Sequence, residues 1–323
     1  MGIELCEPSY LYNLLNQYRR VSRLAEPNYL CLLDARSQRE YNESHIVTAR
    51  RILQSPTGEY LVPDLEELRC VRHCVVYDCE TNSLDCCDHE EEEEEKAQVQ
   101  VETQITCPGF WISPAAEEGA ALRHAQGLDR FRHHPVLVLR GGYQSFSASY
   151  HFLRTQKVLW MPQELDNFQP YPVEILPGRL YLGNFKQACD QQILKDLKIK
   201  AQVNISEQPA ALSAEGGRHL QVAVPDSLEA DLLSSLASIC HFIDAQQDDG
   251  AVLLFSSLGI SRSSAAAMAY LMHSCQFSLK RAWNHVLKCK SNVRPHRGFV
   301  EQLSAWETQI YGTRVTDVSE PNY

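Results

Sequence analysis

The densest run of residues able to do chemistry is Ser256-Ser257-Leu258-Gly259-Ile260-Ser261-Arg262-Ser263-Ser264. It combines hydroxyls, one glycine and one arginine, and it lies between an apolar run and an alanine-rich run. A loop of that composition at a helix start can aim successive backbone N–H groups at an anion, with the helix N-terminus adding partial positive charge. Arg262 adds a planar, bidentate fork that matches phosphate. Ser257, Gly259, Ser261, Arg262 and Ser263 are therefore the candidate phosphate-binding residues. The competing reading is an ordinary strand-to-helix turn with a surface arginine, and the flanking sequence has to decide between the two. A second group, Cys79, Cys86, Cys87 and His89, carries thiols and an imidazole. Its spacing matches no zinc-ligand pattern, so no metal and no cofactor are assigned.

The elements that must position the loop are legible as patterns. Val252, Leu253, Leu254 and Phe255 suit a buried parallel strand, and Ala265 to Met272 have strong helix propensity. Around them, Lys186 to Asp196 reads as a helix. Ser227 to Gln246 reads as another, with Leu228, Leu232, Leu236, Ile239 and Ile243 on one face. Ala201 to Ile205 and His219 to Val224 read as strands. Leu279 to Leu287 reads as a helix capped by Ser278. In the first half, Leu5 to Leu24 reads as an amphipathic helix presenting Leu11, Leu14, Leu15 and Tyr18. Tyr29–Leu33, Val75–Tyr77 and Pro135–Leu139 read as short buried strands of an open parallel sheet. Thr81 to Gln104 includes the tract Glu90 to Glu95, whose like charges repel, so an unpacked insertion is expected there. Trp160 to Pro172 holds three prolines and reads as an extended connector leaning on a domain through Trp160 and Phe168.

At 323 residues the chain accommodates two ordinary domains, and 44% apolar with 22% charged residues fits a protein with a proper core. The formal net charge of −11 argues against nucleic-acid binding by bulk charge. No apolar run approaches the roughly 20 residues needed to span a bilayer. The first residues lack the look of an export signal or transit peptide, so a cytoplasmic location with reduced thiols is expected.

The flanks give the loop a family context. Glu174-Ile-Leu-Pro177-Gly178-Arg-Leu180-Tyr181-Leu182-Gly183 resembles the opening of the dual-specificity phosphatases, and Arg294-Pro295-His296-Arg297-Gly298-Phe299 resembles their closing motif, with His296 in place of an asparagine. The loop itself resembles their signature His-Cys-x-x-Gly-x-x-Arg-Ser, except that Phe255 replaces the histidine and Ser256 the nucleophilic cysteine. Upstream, Asp34-Ala-Arg36, Glu40-Tyr41, His45-Ile46 and Val138-Leu139-Arg140-Gly141-Gly142-Tyr143 resemble a rhodanese-like domain, whose persulfide cysteine position is Asp78 here. The pairing resembles the MAP-kinase phosphatases. It implies an α/β chain: a rhodanese-like open parallel sheet over 1–154, with an acidic insertion near 81–104, a linker over 155–173, a dual-specificity-phosphatase-like domain over 174–312 and a tail over 313–323.

The resemblance also implies a chemistry, and the departures remove it. In the family a thiolate attacks phosphorus and an aspartic acid protonates the leaving oxygen. Asp226 stands where that acid belongs. A serine holds its proton too tightly for the same loop to ionise it, and no histidine precedes Ser256 to act as base. Ser257 and Cys79 are each one position away from the old nucleophile sites and are not assigned catalysis. The expectation is a pseudophosphatase: a binding or adaptor protein that grips phosphoproteins without hydrolysing them. The alternatives are a weak phosphatase and a scaffold that leaves the loop unused. The implied partners are signalling proteins, including phosphoproteins, protein phosphatases or MAP kinases. In the family a basic docking cluster follows the His-Ile motif, and Arg50 and Arg51 occupy that region.

Overall fold

The structure is a computed structural model that describes residues 2–19, 21–84, 119–159, 162–166, 168–209, 217–246 and 248–319. Most of the expected acidic insertion, including Cys86, Cys87, His89 and Glu90 to Glu95, lies outside the described residues, as does Trp160. The chain divides into two compact units. One comprises Met1–Cys6, Cys31–Ser149 and Arg154–Gln156; the other comprises Glu7–Leu30, Tyr150–Leu153 and Lys157–Tyr323.

The first unit is built on a five-stranded sheet in the order Ile3–Cys6, Val136–Leu139, His73–Tyr77, Leu30–Asp34, Arg50–Arg51. Ile3–Cys6 runs parallel to Val136–Leu139, which runs parallel to His73–Tyr77. Cys31, Leu33, Val76, Val136 and Val138 pack with Ala121, Ala125 and Leu128 of the Ala120–Asp129 helix into one core. This is the expected open sheet with buried, near-continuous apolar strands.

The second unit carries a five-stranded sheet in the order Val173–Leu176, Leu180–Asn184, Ala251–Ser256, Ile199–Asn204, Arg218–Gln221. The first pair is antiparallel and the remaining three are parallel. The Arg262–Cys275 helix is buried from Arg262 through Met272, which explains its alanines: only small side chains let helices and sheet approach it closely from several sides. Leu279–Cys289 starts at the expected Ser278 cap, whose hydroxyl accepts the Arg281 N–H at 3.3 Å.

Several expected elements are shorter than their periodicity suggested. The helix expected over Leu5–Leu24 spans only Pro8–Leu15, because Ile3–Cys6 is taken by the sheet and Pro8 fits only at a helix start. Leu11, Leu14 and Leu15 are buried as expected, but Tyr18 lies beyond the helix. The helix expected from Ser227 begins at Leu233. Leu232 and Leu233 give their N–H groups to Gln302 Oε1, each at 2.8 Å, and Leu228 is 67% exposed instead of joining the buried face. Lys186–Asp196 is two short helices, Phe185–Ala188 and Gln191–Asp196, because Asp190 caps the second and interrupts the first. The connector contains a short helix, Pro162–Asp166.

Residues 7–30 were assigned by pattern to the first domain, and the fold places them in the second unit. The reason is an edge. Asn13 Nδ2 donates to Glu174 O at 2.8 Å, and Glu174 N donates to Asn13 Oδ1 at 2.7 Å, so one side-chain amide closes the Val173–Leu176 edge strand as another strand would. Tyr12 hydroxyl donates to Pro172 O at 2.7 Å, and the buried Glu174 carboxylate accepts from Tyr150 at 2.6 Å and Tyr181 at 2.8 Å. Part of the expected tail also packs. Glu307 accepts the N–H groups of Val315 and Thr316, and Arg297 donates to Val318 O.

Candidate phosphate-binding site

Ala251–Ser256 is the central strand of its sheet, buried at every residue, and it delivers Ser256 to the start of the loop. The turn beyond requires Gly259. Its φ is +69°, and a Cβ there would lie 2.4 Å from Gly183 O. The loop is thus pressed against the end of Leu180–Asn184, leaving no room for another residue type.

Ser256 is 2% exposed, and its hydroxyl has two partners: Ser263 Oγ at 3.0 Å and the Gly259 N–H at 3.2 Å. Neither can take its proton. Phe255 is fully buried, with its ring edge-on to Phe185 at 6.1 Å between centroids. The position that would carry a histidine is therefore packed into the interior.

Arg262 is 7% exposed and already engaged. Its Nη1 donates to Val224 O at 2.8 Å and its Nη2 to Ser257 Oγ at 3.2 Å. Its Nε lies 3.6 Å from Asp226 Oδ2, close enough to attract the charge and too long for a hydrogen bond, so this buried donor has no hydrogen-bond acceptor. Asp226 is further held by Ser261, whose hydroxyl donates to Oδ1 at 2.9 Å. The structure joins Asp226, Ser261 and Arg262 in one cluster, and ties Ser256 to Ser263 and Gly259 in another.

Sequence reasoning missed three contributors. The Val224 carbonyl, which anchors Arg262, has no side-chain signature. Tyr18 hydroxyl donates to Leu258 O at 3.3 Å and accepts from Asn184 Nδ2 at 2.8 Å, bracing the loop from a segment far away in sequence. His296 Nε2 lies 3.8 Å from Asp226 Oδ1. Its Nδ1 accepts the Phe299 N–H at 3.3 Å, capping the Arg297–Tyr311 helix. The unusual histidine in the closing motif was the available signal for it.

In the first unit, Asp78 holds the old persulfide position and fills its surroundings itself. Its carboxylate accepts from Glu80 N, Thr81 N, Thr81 Oγ1 and Ala121 N, at 2.6 to 3.1 Å. Burial raises its pKa, but the Thr81 hydroxyl and the three amides outweigh burial and hold it below the usual value. Cys79 donates to Glu40 Oε1 at 3.1 Å, and burial with that carboxylate pushes its thiol up to about 11, so it is protonated and unreactive near neutral pH. Arg50 and Arg51 form a strand of the sheet, and Arg50 is paired with Glu67 at 2.7 Å. Asp34 is fully buried between Arg36 and Tyr77, a structural use of the Asp-x-Arg signature. Among the described residues no group of three or more His, Cys, Asp or Glu is placed to hold a metal ion, and no helix is long and apolar enough to cross a membrane.

Residues 180–309 match the dual specificity phosphatase catalytic domain, and residues 9–149 match the rhodanese-like domain. The chain is 39% identical over 197 residues to human dual specificity protein phosphatase 5, covering 54% of this chain and 51% of that protein. It is 35% identical over 147 residues to Mpk3, a dual specificity protein phosphatase of Drosophila melanogaster, covering 45% of this chain and 36% of that protein. The chain spans about half or less of the length of these curated relatives. The crystal structure of human DUSP28 aligns with 32% identity over 43% of this chain and 97% of that one, at a TM-score of 0.42.

Proposed function

We propose that this chain, which joins a rhodanese-like domain to a dual-specificity-phosphatase-family domain, is a pseudophosphatase: a binding or adaptor protein of phosphorylation-dependent signalling that does not hydrolyse phosphate esters. The observation that carries this reading is the environment of Ser256 Oγ. Its partners are a hydroxyl, too weak a base to remove the proton that an attacking serine must lose, and an amide N–H, which has no lone pair to offer. Loss of an activated nucleophile costs on the order of 10⁶ in kcat, about 8 kcal/mol. The remaining acid, Asp226, is committed to Ser261 and Arg262.

Phosphate binding without turnover is supported by Arg262. Its buried Nε still lacks an acceptor, and a phosphate oxygen would supply one. The signalling proteins that phosphatases of this type act on, MAP kinases among them, are the first class of partner to test. Docking through Arg50 is disfavoured by its ion pair with Glu67.

The test is hydrolysis of an aryl phosphate by the native chain. No turnover above buffer is expected. Turnover abolished by Arg262→Ala would overturn the inactive reading. The pair Phe255→His with Ser256→Cys should confer hydrolysis that Asp226→Asn then lowers. Titration with a phosphotyrosyl peptide, with and without Arg262→Ala, separates a phosphate reader from a scaffold that uses other surfaces.

A further inference from the structure

The second unit carries a cavity of about 390 Å³ outside the loop. Its walls come from three separate stretches: Tyr18, Arg19, Val21 and Ser22; then Phe168 to Pro170; then Asn184, Lys186 and Gln187. That volume lies within the range of ordinary ligand pockets. The walls are tied to one another. Asn16 Oδ1 accepts the Tyr171 N–H at 2.8 Å, Gln187 Nε2 donates to Pro170 O at 2.8 Å, and Asn184 Nδ2 donates to Tyr18 hydroxyl at 2.8 Å. The cavity is therefore held open by the protein's own bonds, so a ligand need not order it.

Its charge runs against that of the chain. The protein carries a net charge of −11, yet the described residues of this lining include Arg19 and Lys186 and no carboxylate. Both cations are exposed, and among the described residues neither has a carboxylate partner. The neighbouring acids are already committed. Asp190 accepts from Gln169 Nε2 and caps the Gln191–Asp196 helix, Asp196 accepts from Tyr171 hydroxyl, and Glu164 pairs with Lys157. Val21, 53% exposed, and Phe168 and Pro170 supply apolar surface to the same lining.

We propose that this cavity is a second binding site, one that takes an acidic peptide segment of a partner protein. Carboxylates of the segment pair with Arg19 and Lys186, and an apolar side chain rests on Phe168, Val21 and Pro170. No residue of the Arg262 loop lines the site. Tyr18, whose hydroxyl bridges Asn184 and the Leu258 carbonyl, places the two side by side in one unit.

The experiment titrates the full chain with a fluorescein-labelled, amidated octapeptide alternating glutamate and leucine, followed by anisotropy. A lysine-leucine octapeptide is the control. Saturable binding of the acidic probe alone is expected. Arg19→Glu with Lys186→Glu should weaken it about tenfold or more, or about 1.4 kcal/mol and upward, with an unchanged melting temperature because both side chains are exposed. Phe168→Ala should weaken it with the charges intact. Arg262→Ala should leave it unchanged while abolishing phosphopeptide binding, so failure here is distinguishable from failure of the phosphate-loop reading. No binding of the acidic probe, equal binding of the lysine probe, or undiminished binding by the doubly reversed chain would each overturn the proposal.

Discussion

At the scale of single residues, the second unit holds a buried cation that has no carboxylate partner among the described residues. Lys290 is 2% exposed, donates to Asn292 Oδ1 at 2.8 Å and sits 4.5 Å from the centre of the Tyr18 ring. Burial pushes its pKa down to about 8, from an ordinary 10.5. The sign follows directly. Below pH 8 the group is charged whether the chain is folded or not, and folding bears the cost of burying it. Between about 8 and 10.5 the unfolded chain binds the extra proton, so this group's contribution to stability rises with pH. Lys290→Met should therefore stabilise the protein near pH 7 by on the order of 1–3 kcal/mol, less the lost contacts with Asn292 and Tyr18. The difference between variant and native chain in urea unfolding should shrink as pH is raised to 10. The difference is the quantity to read, because the buried thiols of Cys240 and Cys289, pushed up to about 12, act in the opposite direction in that range.

At the scale of elements, the loop was legible because its parts are local. A strand, a glycine forced to positive φ and a capless helix start follow one another, and each has a residue signature. The Ser227–Leu232 stretch was not legible, because Leu228 continues the helical spacing while the capping group for Leu232 and Leu233 comes from Gln302, in another helix. The Pro8–Leu15 helix shows the same limit. Leu11, Leu14 and Leu15 are buried as their spacing predicts and Tyr18 falls past the helix end, but what that face covers depends on Asn13 meeting the Val173–Leu176 edge. Asn13→Ala leaves the Glu174 N–H and C=O buried without partners. It should cost about 1–3 kcal/mol in denaturant unfolding, whereas Asn42→Ala, on the exposed face of Gln38–Glu43, should cost little.

At the scale of the whole molecule, two α/β units and their order were readable from strand patterns and paired motifs. Their boundary was not, because motif order follows the chain and packing does not. Residues 9–149 match one domain type, yet 7–30 belong to the other unit. The second unit expressed from residue 150 onward would thus lack Leu11, Tyr12 and Leu15, each fully buried and each worth about 1.5–3 kcal/mol. It should melt at a much lower temperature than the complete chain and bind a hydrophobic dye that the complete chain does not.

The interleaved path has one more consequence. A protease that cuts the polypeptide between residues 31 and 149 severs covalent continuity without dislodging the amino-terminal strap, which stays gripped through Asn13, Tyr12 and Gln17. Such a nicked molecule would travel as one species on a native gel and separate into two bands only in detergent. Residues 7–30 supplied in trans would make the remainder a split protein whose halves reassemble on mixing.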